Sequence, residues 1–293
     1  MLKAIQAELY KLFKNRTFKV LICVAVLLST LTVVMCSSVF EKILNDSLGN
    51  MPQDQKEVLM EQLTSMSESE AIVTPGQLGI QLQAKDMMNP TSIEVYHASF
   101  GSGVIEIIIG ILVGALIAKE YSQGTIKNFL AYGKRREEFY LAKFVSMVIA
   151  VTIILAVMTI LPTIVVTLMN GWGQAFEISQ LLGMIKTFVA SVIAGSAVAA
   201  LAMIIATLVK SNGATIGITV AIFIGIPTLA RFLYGIYPWF DRVYEVLPFY
   251  NSALATSIKA GNGDLLRTVI ISLVTIAISL FVGIKIFKSQ DIK

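Results

Sequence analysis

The sequence is poor in charged residues. Lysine, arginine, aspartate and glutamate together make up 14% of its 293 residues, whereas they make up about a quarter of a typical soluble domain. Hydrophobic residues account for 56% of the chain, and the mean hydropathy is +0.76. This balance excludes an ordinary soluble domain and predicts an all-α integral membrane protein.

Residues that build common catalytic centres are scarce as well. The one histidine, His97, cannot by itself form a histidine-based metal site or a Ser-His-Asp triad. No G-x-x-x-x-G-K-[ST] phosphate loop is present. We therefore expect a chain that is not an enzyme by itself and that binds no metal or cofactor. If the protein uses ATP, another chain must bind the ATP and its magnesium.

The two cysteines, Cys23 and Cys36, fall within one apolar run near the N-terminus. Free cysteines in an apolar run pack as small apolar side chains. Two cysteines this close together on one apolar run predict no disulfide framework.

Long stretches with almost no charge predict six membrane spans, since a helix needs about 20 apolar residues to cross the bilayer core. The predicted spans cover approximately residues 20–40, 99–118, 144–169, 184–209, 212–232 and 265–285. Pro162 and Pro227 lie inside the third and fifth spans and predict a kink or break there.

The basic residues predict the orientation of the chain. Fifteen of the 23 lysines and arginines belong to the N-terminal segment, residues 119–143, Lys210 and the C-terminal tail, which the spans place on one side. Residues 41–98 contain nine acidic and three basic residues. Basic loops stay in the cytoplasm, so we expect a multi-pass plasma-membrane protein with both termini cytoplasmic. The net charge of +4 follows from this orientation and requires no nucleic-acid partner.

Three segments outside the spans have recognisable patterns. Residues 1–18 have the helical spacing of an amphipathic helix lying in the membrane interface. Its apolar stripe consists of Leu2, Ile5, Leu9, Leu12 and Phe13. Residues 41–98 predict a small external loop of helical structure, with a helix over Pro52–Met66. Residues 233–264 are rich in aromatic side chains, which collect at the membrane surface, and predict an external or re-entrant hairpin.

Small residues recur at every fourth position in two of the spans. The second span carries Gly110 and Gly114, and the fifth carries Gly213, Gly217 and Gly225. Such stripes let helices approach closely in lipid. They are typical of packing within one subunit, and also of a subunit interface or a translocation seam.

Residues 119–143 form a charged loop between two apolar runs. Within it, Ser122 and Gly133 can cap a short helix whose apolar face carries Ile126, Phe129 and Leu130. The orientation rule explains the basic residues of this loop. It does not explain a capped helix with an apolar face, which suits docking into a groove on a soluble partner.

This loop resembles the first cytoplasmic loop of type-two ABC (ATP-binding cassette) exporter permeases. The matching features are Glu120, the pair Gly124-Thr125, the apolar Ile126–Leu130 and the basic Lys134–Arg136. The N-terminal amphipathic helix, the six spans, the LPFYNS segment and the IFKSQDIK tail also fit this family. Within it, the size and six-span organisation resemble antibiotic- and peptide-export permeases of Gram-positive bacteria.

The resemblance implies that the loop is a coupling helix on a separate nucleotide-binding subunit. The coupling residues are then Glu120, Gly124, Thr125, Ile126, Phe129 and Leu130. It also implies two ATPase subunits and a second permease copy or homologue. We expect a hydrophobic or amphipathic substrate, such as an antimicrobial peptide. The alternatives are a secondary transporter driven by an ion gradient and a membrane assembly or sensor subunit that does not transport.

Glu106 is the one carboxylate inside a predicted span. A charge within the bilayer is unfavourable unless it meets water, a partner or a proton. We expect either a glutamate that reaches the external headgroups or a polar latch at the outer mouth of the pathway. Arg231 and Arg267, near external span ends, are its candidate partners.

Overall fold

We describe the protein from a computed structural model. The structure describes residues 1–36, 78–84, 89–126 and 135–290, with the single residues 46, 49, 52, 55, 58, 73 and 76. These residues form helices and connecting turns, and their one β-type pairing is an isolated bridge between Gly79 and Ser102. This confirms the helical fold class.

Five helices are long and apolar enough to cross a membrane. They are α2 (Arg16–Met35), α6 (Arg136–Asn170), α7 (Ile178–Val209), the helical stretch Asn212–Ala230 and α12 (Asn262–Ser289). They coincide with five of the six predicted spans. Four of them begin before the predicted boundary, because polar and charged residues continue the helix beyond the apolar run.

The predicted second span is a helix in three pieces. These are α4 (Val104–Val113), a π-helical turn (Gly114–Ala118) and α5 (Lys119–Ser122). The helix begins later than residue 99 because Gly101 and Gly103, with φ of 62° and 75°, turn the chain before it. Ile109 and Leu112 are fully buried, so α4 lies at the centre of the described molecule. Its assignment as a sixth span stays a prediction.

The two span prolines behave differently. Helix α6 remains continuous through Pro162, so the predicted break is wrong there. The fifth span consists of α8 (Asn212–Val220), a π-helical turn (Ala221–Gly225) and α9 (Ile226–Ala230), with Pro227 at the start of α9. The wider π turn accommodates the missing N–H and the ring of this proline.

The N-terminal segment forms α1 (Leu2–Lys14), and Asn15 caps α2 by accepting hydrogen bonds from the backbone N–H groups of Thr17 and Phe18 at 2.8 and 3.3 Å. Helix α1 buries Ala4, Glu8 and Leu12 against the protein. Two members of its predicted apolar stripe, Leu2 and Phe13, are exposed. The predicted helix is present, and its place in a membrane interface stays a prediction.

Three short helices lie at the end of the described molecule that is opposite α1. Helix α3 (Ser92–Ala98) begins with a capping box made by Thr91 and Glu94. Within residues 233–264, α10 (Pro238–Tyr244) and α11 (Pro248–Thr256) each begin at a proline. Helix α11 packs between α7 and α12. The helix predicted over Pro52–Met66 lies outside the described residues, apart from three single positions.

Candidate functional site

Four charged side chains meet where residues 119–143 leave and rejoin the helical core. The ammonium nitrogen of Lys143 lies 2.5 Å from a carboxylate oxygen of Glu8 and 2.7 Å from one of Glu120. Lys11 lies 2.8 Å from Glu8 and 3.2 Å from Glu120. Two positive and two negative charges thus form a closed network, here called the loop-base cluster.

The inner part of the loop-base cluster is almost free of water contact. The side chains of Lys143 and Glu8 are 3% and 2% exposed. The third donor of Lys143 is used as well, because its ammonium donates to the backbone carbonyl of Leu116 at 3.1 Å. Charges this deep are tolerated only when they are paired and hydrogen-bonded, and Lys143 meets both conditions.

Lys11 forms the outer edge of the loop-base cluster, with 47% of its side chain exposed. Partial burial lowers the pKa of Lys11, but its hydrogen bond to Glu8 and the charges of Glu120 and Glu8 raise that pKa more. The net result is a pKa above the ordinary lysine value. Lys11 therefore stays protonated across the physiological range and balances the second carboxylate.

The sequence places these four residues through three separate local patterns. Glu8 lies between Ala4 and Leu12 on the buried face of α1, at helical four-residue spacing. Glu120 lies in α5, two residues after the predicted second span, and Lys143 lies two turns into α6. The loop-base cluster therefore ties α1, α5 and α6 together at the point where the loop begins and ends.

The entry of the loop is a tight helix end. Gly124 has φ of 67°, a left-handed conformation that favours glycine, and its N–H donates to the carbonyl of Tyr121. The backbone N–H and the hydroxyl of Thr125 both donate to the carbonyl of Glu120, at 3.1 and 3.3 Å. Ser122 belongs to the last turn of α5, so its predicted role as an N-cap is wrong.

The exit of the loop is tied to the end of α12. The guanidinium of Arg136 donates to the carbonyls of Phe287, Lys288 and Gln290 at 3.0, 3.0 and 2.7 Å, and Lys288 pairs with Glu137. A basic side chain on the last carbonyls of a helix satisfies acceptors that have no partner within the helix. Loop, N-terminal helix and C-terminal helix therefore meet at one end of the molecule.

The predicted coupling residues fall into three groups. Glu120, Gly124 and Thr125 shape the loop entry, and their role in coupling stays a prediction. Ile126 is 2% exposed and belongs to the main hydrophobic core, so its predicted exposure to a partner is wrong in this conformation. Phe129 and Leu130 lie outside the described residues, as does the predicted apolar helix face.

Sequence reasoning missed Glu8 and Lys143 as functional candidates. In the sequence, Lys143 contributes only to the predicted orientation of the chain in the membrane. The helix that contains Glu8 is predicted from its apolar residues alone. The available signal was Glu8 itself, because it is the one acidic residue among the first 36. Glu8 also falls at helical spacing from Ile5 and Leu12, on the apolar side of the helix, where a buried carboxylate needs a counter-charge.

Glu106 is buried in the first turn of α4, at the end of the central helical stretch that lies away from the loop-base cluster. The partners predicted for it are wrong. Its Oε1 accepts a hydrogen bond from the Ser252 hydroxyl at 2.7 Å. Arg267 instead pairs with Glu245 at 3.0 Å, and Arg231 is exposed at the end of α9. Ser252 comes from the LPFYNS segment, which α11 brings against α4.

The glycine stripes divide into a packed one and an open one. A Cβ at Gly110 would lie 3.1 Å from the Thr219 side chain, and one at Gly114 would lie 2.6 Å from Asn212. These two glycines therefore pack α4 and its π turn against α8 within one chain. Gly213, Gly217 and Gly225 have open space at their Cβ positions.

Comparison with known proteins adds one match. A family model for a protein of unknown function (DUF2705) matches residues 57–293. The matched region contains Glu106, Glu120 and Lys143, whereas Glu8 and Lys11 precede it. No curated protein matches the chain.

Proposed function

The chain belongs to the DUF2705 family, and we propose that it is the membrane-spanning permease subunit of an ATP-driven ABC exporter. It forms the translocation pathway and is not catalytic. ATP and Mg²⁺ bind to a separate nucleotide-binding subunit, of which two copies are expected. The complex also contains a second copy or homologue of the permease.

The loop-base cluster is the observation that carries this proposal. A coupling loop must pass a displacement from a soluble ATPase into the membrane helices. Here Glu120 at the loop entry pairs directly with Lys143 at the end of the loop, and Lys143 also pairs with Glu8 of α1. A displacement of residues 119–143 by the ATPase would therefore move α1, α5 and α6 together.

The predicted substrate class is supported by an apolar groove near the far ends of α6 and α7. The groove has a volume of about 460 Å³, and its lining includes Ile160, Ile164, Trp172, Ile185 and Phe188. Ile160, Ile164 and Ile185 are each about half exposed. Such a surface suits a hydrophobic or amphipathic molecule, for example an antimicrobial peptide, better than a strongly polar one.

The proposed cytoplasmic termini are supported by contacts at one end of the molecule. The N-terminal amine lies 3.4 Å from a carboxylate oxygen of Glu138, and Arg136 holds the end of α12. The N-terminus and the end of α12 therefore lie beside the start of α6, where the loop rejoins the helices. If that basic loop faces the cytoplasm of a plasma-membrane protein, so do the termini.

Co-purification tests the proposal directly. The full chain, tagged at its C-terminus, is cross-linked in its native membranes, extracted with detergent and analysed by mass spectrometry for an ABC ATPase. Phe129→Ala should weaken that association, since truncating a central aromatic interface residue can cost about 2 kcal/mol or more. Leu229→Ala, a 67% exposed apolar residue on α9, is the matched control. Absence of any ATPase from the cross-linked parent protein would refute the proposal.

A secondary transporter driven by an ion gradient is the second candidate, and the buried carboxylate of Glu106 is the observation that favours it. Reconstitution into vesicles separates the two. Transport that requires ATP and the ATPase supports the exporter. Transport by this chain alone under a proton or sodium gradient supports the alternative.

A further inference from the structure

A small cavity lies between the start of α4 and helix α11. Its volume is about 40 Å³, and its lining includes Glu106, Ser252 and the aromatic side chains of Phe100, Phe223, Tyr244 and Phe249. At roughly 10–15 Å³ for each water-sized group, it has room for one small polar head with a water or two. We call it the Glu106 cavity.

Only one oxygen of the Glu106 carboxylate accepts a hydrogen bond from a side chain of the protein. Glu106 is 6% exposed, and Ser252 donates to its Oε1. The backbone N–H groups of Gly103 and Glu106 lie near the carboxylate, but its buried Oε2 has no partner at hydrogen-bond distance and angle among the described residues. The described lining contains no lysine or arginine. A buried carboxylate with one free oxygen and no counter-charge is unfavourable until a cation or a donor arrives.

The surrounding side chains favour an organic cation over a metal ion. Phe223 and Phe249 pack edge to face with ring centroids 5.2 Å apart, and Phe100 and Tyr244 complete an aromatic wall. Aromatic faces attract ammonium groups and desolvate them. Hard metal cations need several oxygen ligands, whereas this lining offers one carboxylate and few other polar side chains.

We propose that the Glu106 cavity binds a primary ammonium group. Oε2 of Glu106 accepts one of its N–H donors, Ser252 keeps the carboxylate oriented, and the aromatic side chains exclude water. The group can come from a lysine side chain or N-terminus of a peptide, or from an ethanolamine lipid headgroup. This assignment does not depend on the proposed exporter function, since it concerns binding to this chain alone.

The test uses the full-length protein, purified in detergent without any ATPase. Propylammonium chloride should raise the unfolding temperature in a saturable manner and slow the loss of the free Glu106 carboxylate to a hydrophobic carbodiimide. Mass spectrometry counts the N-acylurea and the amide products together, because the amine can displace the activated carboxylate. Tetraethylammonium is too bulky for the cavity and propan-1-ol lacks the charge, so neither should have these effects. Sodium chloride at equal ionic strength controls for salt.

Glu106→Gln keeps the shape and removes the charge, and it should weaken propylammonium binding by roughly tenfold or more. Glu177→Gln, which neutralises an exposed carboxylate at the start of α7, should bind like the parent. Equal effects of propan-1-ol, tetraethylammonium or sodium, or unchanged binding by Glu106→Gln, would overturn the assignment. If Glu106→Gln does not fold, carbodiimide protection of the parent decides the question alone.

Lipid nanodiscs distinguish the two sources of the ammonium group. Protection of Glu106 in phosphatidylethanolamine but not in phosphatidylcholine identifies the lipid headgroup. Protection that appears in phosphatidylcholine only after a lysine-containing peptide is added identifies the peptide. Carbodiimide modification at the same rate in all of these conditions contradicts both.

Discussion

At the scale of single residues, Lys143 is a positive charge held in a nearly dry environment by groups from three helices. Its partners are the carboxylates of Glu8 and Glu120 and the carbonyl of Leu116. Removing one member of such a buried network leaves the others uncompensated, and that loss exceeds the net stabilisation by the intact pair.

Lys143→Met should therefore destabilise the protein by about 3–5 kcal/mol, because Glu8 is left buried without its closest counter-charge. Unfolding in a denaturing detergent, followed by circular dichroism, measures the loss. The double variant Glu8→Gln/Lys143→Met should be more stable than Lys143→Met. Lys288→Met removes the exposed pair with Glu137 and should change stability little. A Lys143→Met protein as stable as Lys288→Met would show that the loop-base cluster carries little energy.

The single histidine makes stability depend on pH. His97 lies on α3, outside the predicted spans, with its Nδ1 3.0 Å from the carbonyl of Thr256. Burial lowers the pKa of His97 below 6.5, and the hydrogen bond to Thr256 only partly offsets this effect. Below about pH 6.5 the unfolded chain binds a proton that the folded chain does not bind.

Stability should accordingly fall as the pH drops from about 6.5 through the lower pKa of the folded state, and then level off. His97→Asn, which retains a side-chain donor near Thr256, should remove this part of the pH dependence. Unfolding temperatures measured between neutral and mildly acidic pH test the difference between the two proteins. Parallel curves for parent and variant would contradict it.

At the scale of elements, α4 and its π turn pack against α8 so closely that a side chain larger than that of glycine would crowd α8 at two positions. Gly110 and Gly114 lie on the contact, while Gly213 and Gly217 lie on an open face of the same α8 helix. Helix–helix contacts in lipid depend on such close packing. The two stripes therefore have different roles, although their spacing in the sequence is the same.

Gly114→Leu should destabilise the single chain by about 1–3 kcal/mol or more, because its side chain would overlap Asn212 and Ile216. Gly217→Leu should leave that stability nearly unchanged, since its Cβ position is open. If the open face contacts the proposed second permease copy, Gly217→Leu should reduce the dimer fraction measured by mass photometry in nanodiscs. An unchanged dimer fraction would remove this face from the interface.

At the scale of the whole molecule, the loop-base cluster and the Glu106 cavity lie at opposite ends of one central helical stretch. Glu120 belongs to the first and Glu106 to the second, with the π-helical turn Gly114–Ala118 between them. In the proposed exporter this stretch connects the ATPase side of the molecule to the far side.

The proposed topology predicts which side chains are accessible from outside the cell. In a protein whose two native cysteines are replaced by alanine, a cysteine at Ser67 should react with an impermeant thiol reagent in intact cells. A cysteine at Lys14, on α1, should react only after the cells are lysed. The reverse pattern would invert the topology, and both basic ends would then face outward.

Local features of the sequence predict the helical fold and the approximate position of each long apolar helix. A bilayer crossing requires a long apolar helix, and that requirement is local in the chain. Gly124 and Thr125 were predicted instead through the resemblance to exporter permeases, and they lie at the loop entry, where Gly124 adopts a left-handed backbone conformation at a helix end.

The contacts between side chains far apart in the sequence follow only from the packed arrangement of the helices. Ser252 and Glu106 are 146 residues apart, and Lys143 meets a carboxylate on the first helix. Helical periodicity does not show which neighbouring helix a given face will contact, so Arg231 and Arg267 were reasonable but wrong partners for Glu106. The roles of the two glycine stripes were likewise decided by which helix face packs against α4, a property of the assembled helices.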